Sequence, residues 1–423
     1  METESKEMER ASDIAIEGDR EDGCISKLPQ DTKELVFAKL SIQSICVSRV
    51  VSREWNSILS SQIFLSSLSI QNPWLLICSK ENHENNWYCM AYCFSAQKWM
   101  TLPLPNREGG EIRYCPSTAQ GLLLFGEICL RRLFVCNPLT RSYTEMENDL
   151  AARSFHIVQG GNKDLYLIVY NSSETLSFKI YHYFQDSRRI KCQFGGEMKS
   201  NIFIDIVEMV ECNGVLFWMG RLSPTIVGYN IKNEGFIRPV KVAPLPPEML
   251  QDLNMHFPIR HQPRSSDVLS MVSYGSSVLV VGTYWEPYSL WMIQPVTRVY
   301  DPNRTGIVIW ELFEDEEDEL VWKWREFAKI PPWSLHDVME KEYFWDPKCV
   351  CVGDYLCFRG KTVFAYNLKA RFWQRLPPHE IHCRPKMMSF EPKLYHYQFP
   401  RKWKLYNYGE SAFEKTGDNI QDS

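Results

Sequence analysis

Cysteine and histidine are the side chains through which this chain has most chemistry to offer, with fourteen of the first and nine of the second. Cys89 and Cys93 lie four apart, Cys349, Cys351 and Cys357 form a loose group, and His382 adjoins Cys383. None of these repeats the paired spacing with which cysteine and histidine close a tetrahedral zinc site, so no metal ligand set is assigned. A nucleophile with its base would show as a GxSxG elbow, a zinc protease as HExxH and a nucleotide site as a phosphate-binding glycine loop, and none of the three occurs. No catalytic residue and no cofactor is therefore expected. Ring-finger cysteine pairs are also missing.

The elements that would position any site fall into an α-helical and a β-rich part. From Asp31 the residues read as three short helices. Leu35, Val36 and Leu40 recur at helical spacing behind Asp31 or Thr32 as N-cap, Ser41 caps a stripe of Ile42, Ile45 and Cys46, and Ser52 caps one of Trp55, Ile58 and Leu59. About forty residues supply only a marginal core. The stripes call for a partner.

Leu28 to Phe64 resembles the F-box, in Leu28, Pro29, Asp31, Leu40, Ile45, Arg49, Val51, Arg53, Trp55 and Phe64. It departs from that pattern at Ser41, where Pro is usual, at Val47, where Arg is common, and at Ser52, in place of Cys. The resemblance implies docking on a Skp-type adaptor and, through it, on a cullin scaffold with its RING subunit. Leu28, Pro29, Leu35, Ile45, Val51 and Trp55 are the expected adaptor-binding residues.

Behind this unit the sequence repeats. The stretches from Tyr92 to Trp99, Cys136 to Tyr143, Tyr229 to Phe236 and Tyr366 to Trp373 each end on an aromatic seven positions after their start, and three have Asn second. Two run on into Leu102-Pro103 and Leu376-Pro377, and Tyr300-Asp301-Pro302-Asn303 begins a further copy. Apolar runs that stop at Gly126, Gly220, Gly282 and Gly360 read as buried strands entering turns, and Tyr166 to Tyr170 with Lys179 to Phe184 supplies a degenerate unit. Repeats of about forty to fifty residues with four strands each point to a β-propeller. The units are similar to degenerate kelch repeats of the kind joined to plant F-boxes, with single glycines where kelch has two. Ser389 to Pro392 looks like the end of such proteins.

The expected fold is thus mainly β with a small all-α N-terminal module: a disordered acidic segment 1–24, an F-box at 25–66, a kelch-like propeller of six blades, with seven as the alternative, at 72–398, and a flexible tail at 399–423. A net charge of −5 gives no footprint for nucleic acid. The first 24 residues hold no secretory signal, and no apolar run reaches the roughly 18 residues of a membrane span. The chain is accordingly expected in the cytoplasm, the nucleus or both, with its cysteines as free core thiols.

A protein target would meet the propeller at its excursions. Trp285, Tyr288 and Trp291 offer rigid aromatic anchors, and the acidic run from Glu311 to Glu319, with Glu316 and Glu317 at its centre, would attract a basic stretch. Packing of these aromatics on the blade below, and a solvated loop, are the plainer readings. Trp322 and Trp324 alternate with Lys323 and Arg325, so both should point inward from a strand. The expected function is the substrate-recognition subunit of a Skp–cullin–F-box ubiquitin ligase. A scaffold or adaptor competitor outside a ligase is the second reading, and a kelch-like copper oxidase, for which no ligand set can be picked, the third.

Overall fold

A computed structural model describes residues 27–68, 72–80, 87–102, 104, 112–127, 132–148, 154–159, 165–172, 176–184, 189–198, 206–220, 226–231, 238–243, 269–285, 305–317, 321–331, 349–359, 362–378, 386–394 and 402–405. The chain divides into two compact units, Met1–Ile70 and Gln71–Ser423.

Among the described residues the first unit has four helices where three were expected: α1 (Gln30–Phe37), α2 (Ile42–Ser48), α3 (Arg53–Leu59) and α4 (Gln62–Ser67). Helix α1 starts directly behind Pro29, whose fixed φ suits a helix start, and has no side-chain cap, so neither Asp31 nor Thr32 plays that part. Ser41 and Ser52 do cap, their hydroxyls accepting from the backbone N–H of Ser44 at 3.2 Å and of Trp55 at 3.1 Å. Ser61 caps α4 in the same way. The core is Phe37, Ile42, Ile45, Ile58, Leu59, Phe64 and Leu65.

The second unit is built of four-stranded antiparallel meanders. The first is closed from both ends of the chain: Lys386–Phe390 pairs with Trp74–Lys80, followed by Trp87–Cys93 and Lys98–Leu102. The second is Ile112–Ala119, Leu122–Glu127, Arg132–Asn137 and Ser142–Asn148, with Lys402–Leu405 added parallel to its outer strand. The third runs from Ser154–Gln159 through Leu165–Ser172 and Leu176–Phe184 to Arg189–Met198. The fourth is Ile206–Cys212, Val215–Gly220, Ile226–Asn230 and Arg238–Val242; the fifth is Leu269–Tyr274, Ser277–Trp285, Thr305–Glu314 and Val321–Ile330. Cys349–Val352, Tyr355–Arg359, Val363–Asn367 and Phe372–Arg375 make the sixth. The first strand of each meander lies against the first strand of the next, and Cys349–Val352 returns to Lys386–Phe390, so the ring is that of a β-propeller.

Among the described residues, hydrogen bonding divides this ring into five sheets, not the six separate ones expected. The outer strands of the fourth and fifth meanders pair in parallel at Lys241 with Val321 and Val242 with Trp322, fusing the two into one eight-stranded sheet. Within the tail expected to be flexible at 399–423, Lys402–Leu405 forms a strand that extends the second meander, and the rest of that tail lies outside the described residues.

The core lies between successive sheets. Phe217 meets Trp322 at a ring separation of 4.6 Å on the side of the fifth meander, while its neighbours Leu216 and Trp218 face the third, packing near Tyr166 and Ile168. Strand residues alternate between two buried faces, so these strands read as unbroken apolar runs. Val278 to Val281 have no exposure at all. Trp322 sits in this core, and Trp324 is half-buried with its indole N–H donating to the Ala243 carbonyl at 2.9 Å.

The turns explain the repeat and correct one reading of it. Tight hairpins precede the apolar strands, at Gln120-Gly121, Asn213-Gly214, Gly275-Ser276 and Gly353-Asp354, with positive φ at all four glycines. At Gly121 a side chain would also strike the Lys393 Cβ 2.9 Å away. Gly126 and Gly282, expected to end strands, lie within them; Gly126 faces Tyr114 where the adjoining strand is irregular. The repeated Asn closes the next hairpin. Asn137 is fully buried, its Oδ1 accepting from the N–H of Leu139 at 3.0 Å and of Thr140 at 3.2 Å, and Asn367 accepts from Ala370 at 2.7 Å. Such a side chain replaces backbone partners that a four-residue loop lacks. Tyr92 with Trp99, Cys136 with Tyr143 and Tyr366 with Trp373 are cross-strand pairs, whereas Tyr229 pairs with Pro239, not with Phe236. Phe236 and the copy begun at Tyr300 lie outside the described residues.

Free thiols were expected throughout, but Cys78 and Cys89 are joined. They face each other on adjacent antiparallel strands with Cα atoms 4.4 Å apart, a separation from which the sulfurs meet.

Candidate functional site

Six of the eight large exposed apolar residues among those described lie in the helical unit: Leu35, Val36, Val47, Val50, Val51 and Ile63. Their origin is helical phase. On α1, Lys33 and Phe37 are four apart and share the inward face, where the buried Lys33 ammonium reaches Glu54 at 2.5 Å and Phe37 meets Trp55 edge-on at 4.9 Å. Leu35 and Val36 are thereby turned to solvent. On α2, Ile42 and Ile45 take the inward face, leaving Val47 and, in the turn that follows, Val50 and Val51 outside. Val50 is 84% exposed and Val51 60%.

The expected adaptor-binding residues separate accordingly. Pro29, Leu35 and Val51 are exposed, and Leu28 and Trp55 are half-buried. Ile45 is instead fully buried in the unit's own core, with no surface to offer. Val47, Val50 and Ile63 went unnamed in sequence; their signal is an apolar side chain out of phase with the buried stripe. Large apolar side chains exposed together in one small unit are what a protein-binding surface presents.

Of the residues expected to meet a target, the described ones lie apart. Trp285 ends the second strand of the fifth meander opposite Thr305, whereas Glu316 and Glu317 follow the third strand, Thr305–Glu314. Ten residues at about 3.3 Å each put the two places roughly 30 Å apart, at opposite ends of the sheet. Tyr288 and Trp291, and the side chain of Trp285, lie outside the described residues.

The acidic run is also less a loop than expected. Its first part is strand: Glu311 is buried, accepting from the Ser277 hydroxyl at 2.6 Å and from Arg325 at 2.5 Å. Burial pushes its carboxyl up, but those two hydrogen bonds and the guanidinium charge outweigh burial and hold it below the ordinary value. Asp315 pairs with Lys323 at 2.5 Å, which lowers its carboxyl in turn. Only Glu316 and Glu317 of the described part of this run are exposed.

Two of the cysteines near residue 350, Cys351 and Cys357, are poor nucleophiles. Burial pushes the Cys351 thiol up to about 12, with the Asp354 charge adding to it, and Cys357 is likewise raised by burial. A buried thiol that stays protonated is inert. Among the described residues no group of three or more His, Cys, Asp or Glu is arranged to hold a metal ion, and no helix is long and apolar enough to cross a membrane.

Residues 25–67 match the F-box domain. This chain carries an F-box. The match ends with α4 at Ser67, and the outward Leu35, Val47, Val51 and Ile63 all lie within it. The chain is 30% identical over 145 residues to F-box only protein 6 of Arabidopsis thaliana, covering 34% of this chain and 30% of that protein. An F-box/kelch-repeat protein of Arabidopsis thaliana is 29% identical over 123 residues, 28% of this chain and 29% of that one. The matches thus span under a third of either relative. Among solved structures, an oligogalacturonate lyase in complex with manganese aligns over 70% of this chain and 71% of its own with a TM-score of 0.36 and 9% identity, too distant to inform the reading of this chain.

Proposed function

We propose that this chain is a substrate-recognition subunit of a Skp–cullin–F-box ubiquitin ligase. The F-box docks on the Skp-type adaptor and, through it, on the cullin and RING subunit, and the propeller holds a protein target in the cytoplasm or nucleus. The observation that carries the reading is an F-box whose outward residues Leu35, Val47, Val50, Val51 and Ile63 are apolar and uncovered, joined in one chain to a closed ring of sheets. Catalysis belongs to the partners. This chain contributes proximity, which raises the effective concentration of target lysines near the charged enzyme.

In this reading Leu28, Pro29, Leu35, Val51 and Trp55 contact the adaptor, and Ile45 holds the helices that present them. The six meanders count as six blades, two of them sharing a sheet edge. The aromatic excursion after Trp285 and the acidic turn at Glu316 and Glu317 are two separate candidate target contacts.

Co-purification of the full chain with a Skp-type adaptor and cullin tests the proposal. Wild type forms a stable complex. Leu35→Asp and Val51→Asp, at exposed positions where the fold tolerates polarity, each lose about 2 kcal/mol or more of binding if these side chains are anchors. A folded wild-type chain that leaves the adaptor unbound refutes the reading.

A further inference from the structure

Ser52 stands among the outward apolar residues with a hydroxyl where the F-box pattern has a thiol. It follows the turn that exposes Val50 and Val51, is itself exposed, and has an extended backbone, φ −152° and ψ 160°. Arg49 stands three positions before it, the only basic residue so placed before any serine of the helical unit. Its Nε donates to the Asn56 Oδ1 at 3.1 Å, which holds the guanidinium beside this turn.

We propose that Ser52 is a phosphorylation site for an Arg-directed serine/threonine kinase, and that the phosphate switches off docking of the F-box. The inference rests on the adaptor-docking reading above. An accessible turn with a cation at a fixed distance before the hydroxyl suits a kinase whose substrate groove carries carboxylates, because guanidinium and carboxylate recognise each other through charge and a matched fork of donors. In the transfer the Ser52 oxygen attacks the γ-phosphorus of ATP. The new O–P bond forms as the bond to the β,γ-bridging oxygen breaks, ADP leaves, and the hydroxyl proton passes to the kinase's base.

The consequence follows from the surroundings. A phosphoserine carries about −1.5 to −2 charges and strongly hydrated oxygens. Next to Val51 it would have to be stripped of water when an apolar partner surface closes, and uncompensated burial of charge opposes association. Nearby cations do not remove the obstacle: Lys33 is committed to Glu54, and a pair of the phosphate with Arg49 or with exposed Arg53 would itself have to be desolvated when an apolar partner surface closes. The fold itself is spared. Ser52 caps α3 by accepting from the Trp55 N–H, and a phosphate oxygen accepts equally well.

The test incubates the full chain with the catalytic domain of an Arg-directed kinase and magnesium-ATP, locates phosphate by peptide mass spectrometry, and titrates the Skp-type adaptor. Ser52→Asn and Ser52→Asp both retain a good cap and differ in charge. The expected result is phosphate on Ser52, adaptor binding at least tenfold weaker after phosphorylation, Ser52→Asn binding at least tenfold more tightly than Ser52→Asp, and unchanged circular dichroism throughout. Absence of phosphate at Ser52, or undiminished binding by the phosphorylated chain, overturns the switch and leaves the docking reading standing. Unmodified wild type that does not bind adaptor overturns the docking reading and the switch with it.

Discussion

Replacing Asn137 by Ala tests whether the repeated Asn is a structural cap or an incidental polar residue. Its Oδ1 satisfies two loop N–H groups, and its Nδ2 donates to the Lys393 carbonyl at 2.9 Å, tying the hairpin to the closing C-terminal segment. Three hydrogen bonds at a fully buried position, each worth about 1 kcal/mol net, give a loss of about 3 kcal/mol. Asn367 makes a similar cap by accepting from the Ala370 N–H, and Asn367→Ala should cost about 1 kcal/mol. The assay is urea unfolding of the propeller transition together with amide exchange at Leu139 and Thr140. At about 1.4 kcal/mol per factor of ten, exchange through local opening should rise by about two orders of magnitude in Asn137→Ala. Equal destabilisation by both variants, or unchanged exchange at Leu139 and Thr140, refutes the reasoning.

Truncation after residue 385 removes the strand that completes the first meander and should abolish cooperative unfolding of the propeller, whereas truncation after residue 401 strips only the added parallel strand and should leave it; limited proteolysis and thermal melts separate the two. Glu311 has a depressed folded pKa, so it stabilises the fold above its unfolded value near 4.5, and that contribution disappears as pH falls through the folded value. In Arg325→Ala burial is opposed by Ser277 alone, the carboxyl rises above its unfolded value, and stability should instead fall as pH climbs through that raised value; urea midpoints against pH read the reversal. With its thiol at about 12, Cys351 should resist iodoacetamide at pH 8 until urea unfolds the chain, and rapid labelling of folded protein, seen by peptide mass spectrometry, would contradict its burial.

Local features were legible in the sequence where the physics is local. Ser41 and Ser52 were readable as caps because capping joins residues three apart, and the Tyr-Asn hairpins because four-residue loops demand a particular side chain. The glycines misled for a related reason. A run that stops at Gly reads the same whether the turn follows or precedes it, and only strand pairing shows that Gly121 and Gly214 turn the chain before the run while Gly126 lies inside it. Fusion of the fourth and fifth meanders was hidden, since it depends on two parallel pairs, Lys241 with Val321 and Val242 with Trp322, some eighty residues apart in the chain.

The F-box residues show the sharper limit. Periodicity says that Leu35 and Val36 share a stripe on α1, but not which of two stripes faces inward, and Lys33 with Phe37 defines the rival stripe. A lysine ordinarily marks the wet face, so sequence favours burying Leu35. The arrangement is reversed because Glu54 on α3 meets the Lys33 ammonium, so the charge is neutralised within the unit and the aliphatic stem fills its interior. A chain folding only for its own stability would gain by the opposite choice, since Leu35 buries more apolar surface than a lysine and needs no ion pair. An F-box that spends an ion pair to keep Leu35 outside is therefore organised around a surface other than its own core. That is the physical content of the docking reading, and it makes Lys33→Met a discriminating variant: the helical unit should hold or gain stability, with Leu35 still exposed, because the stem packs and the charge is gone. A variant that unfolds would show that the Lys33–Glu54 pair is needed for the fold itself, and the inference from helix phase to partner would fail.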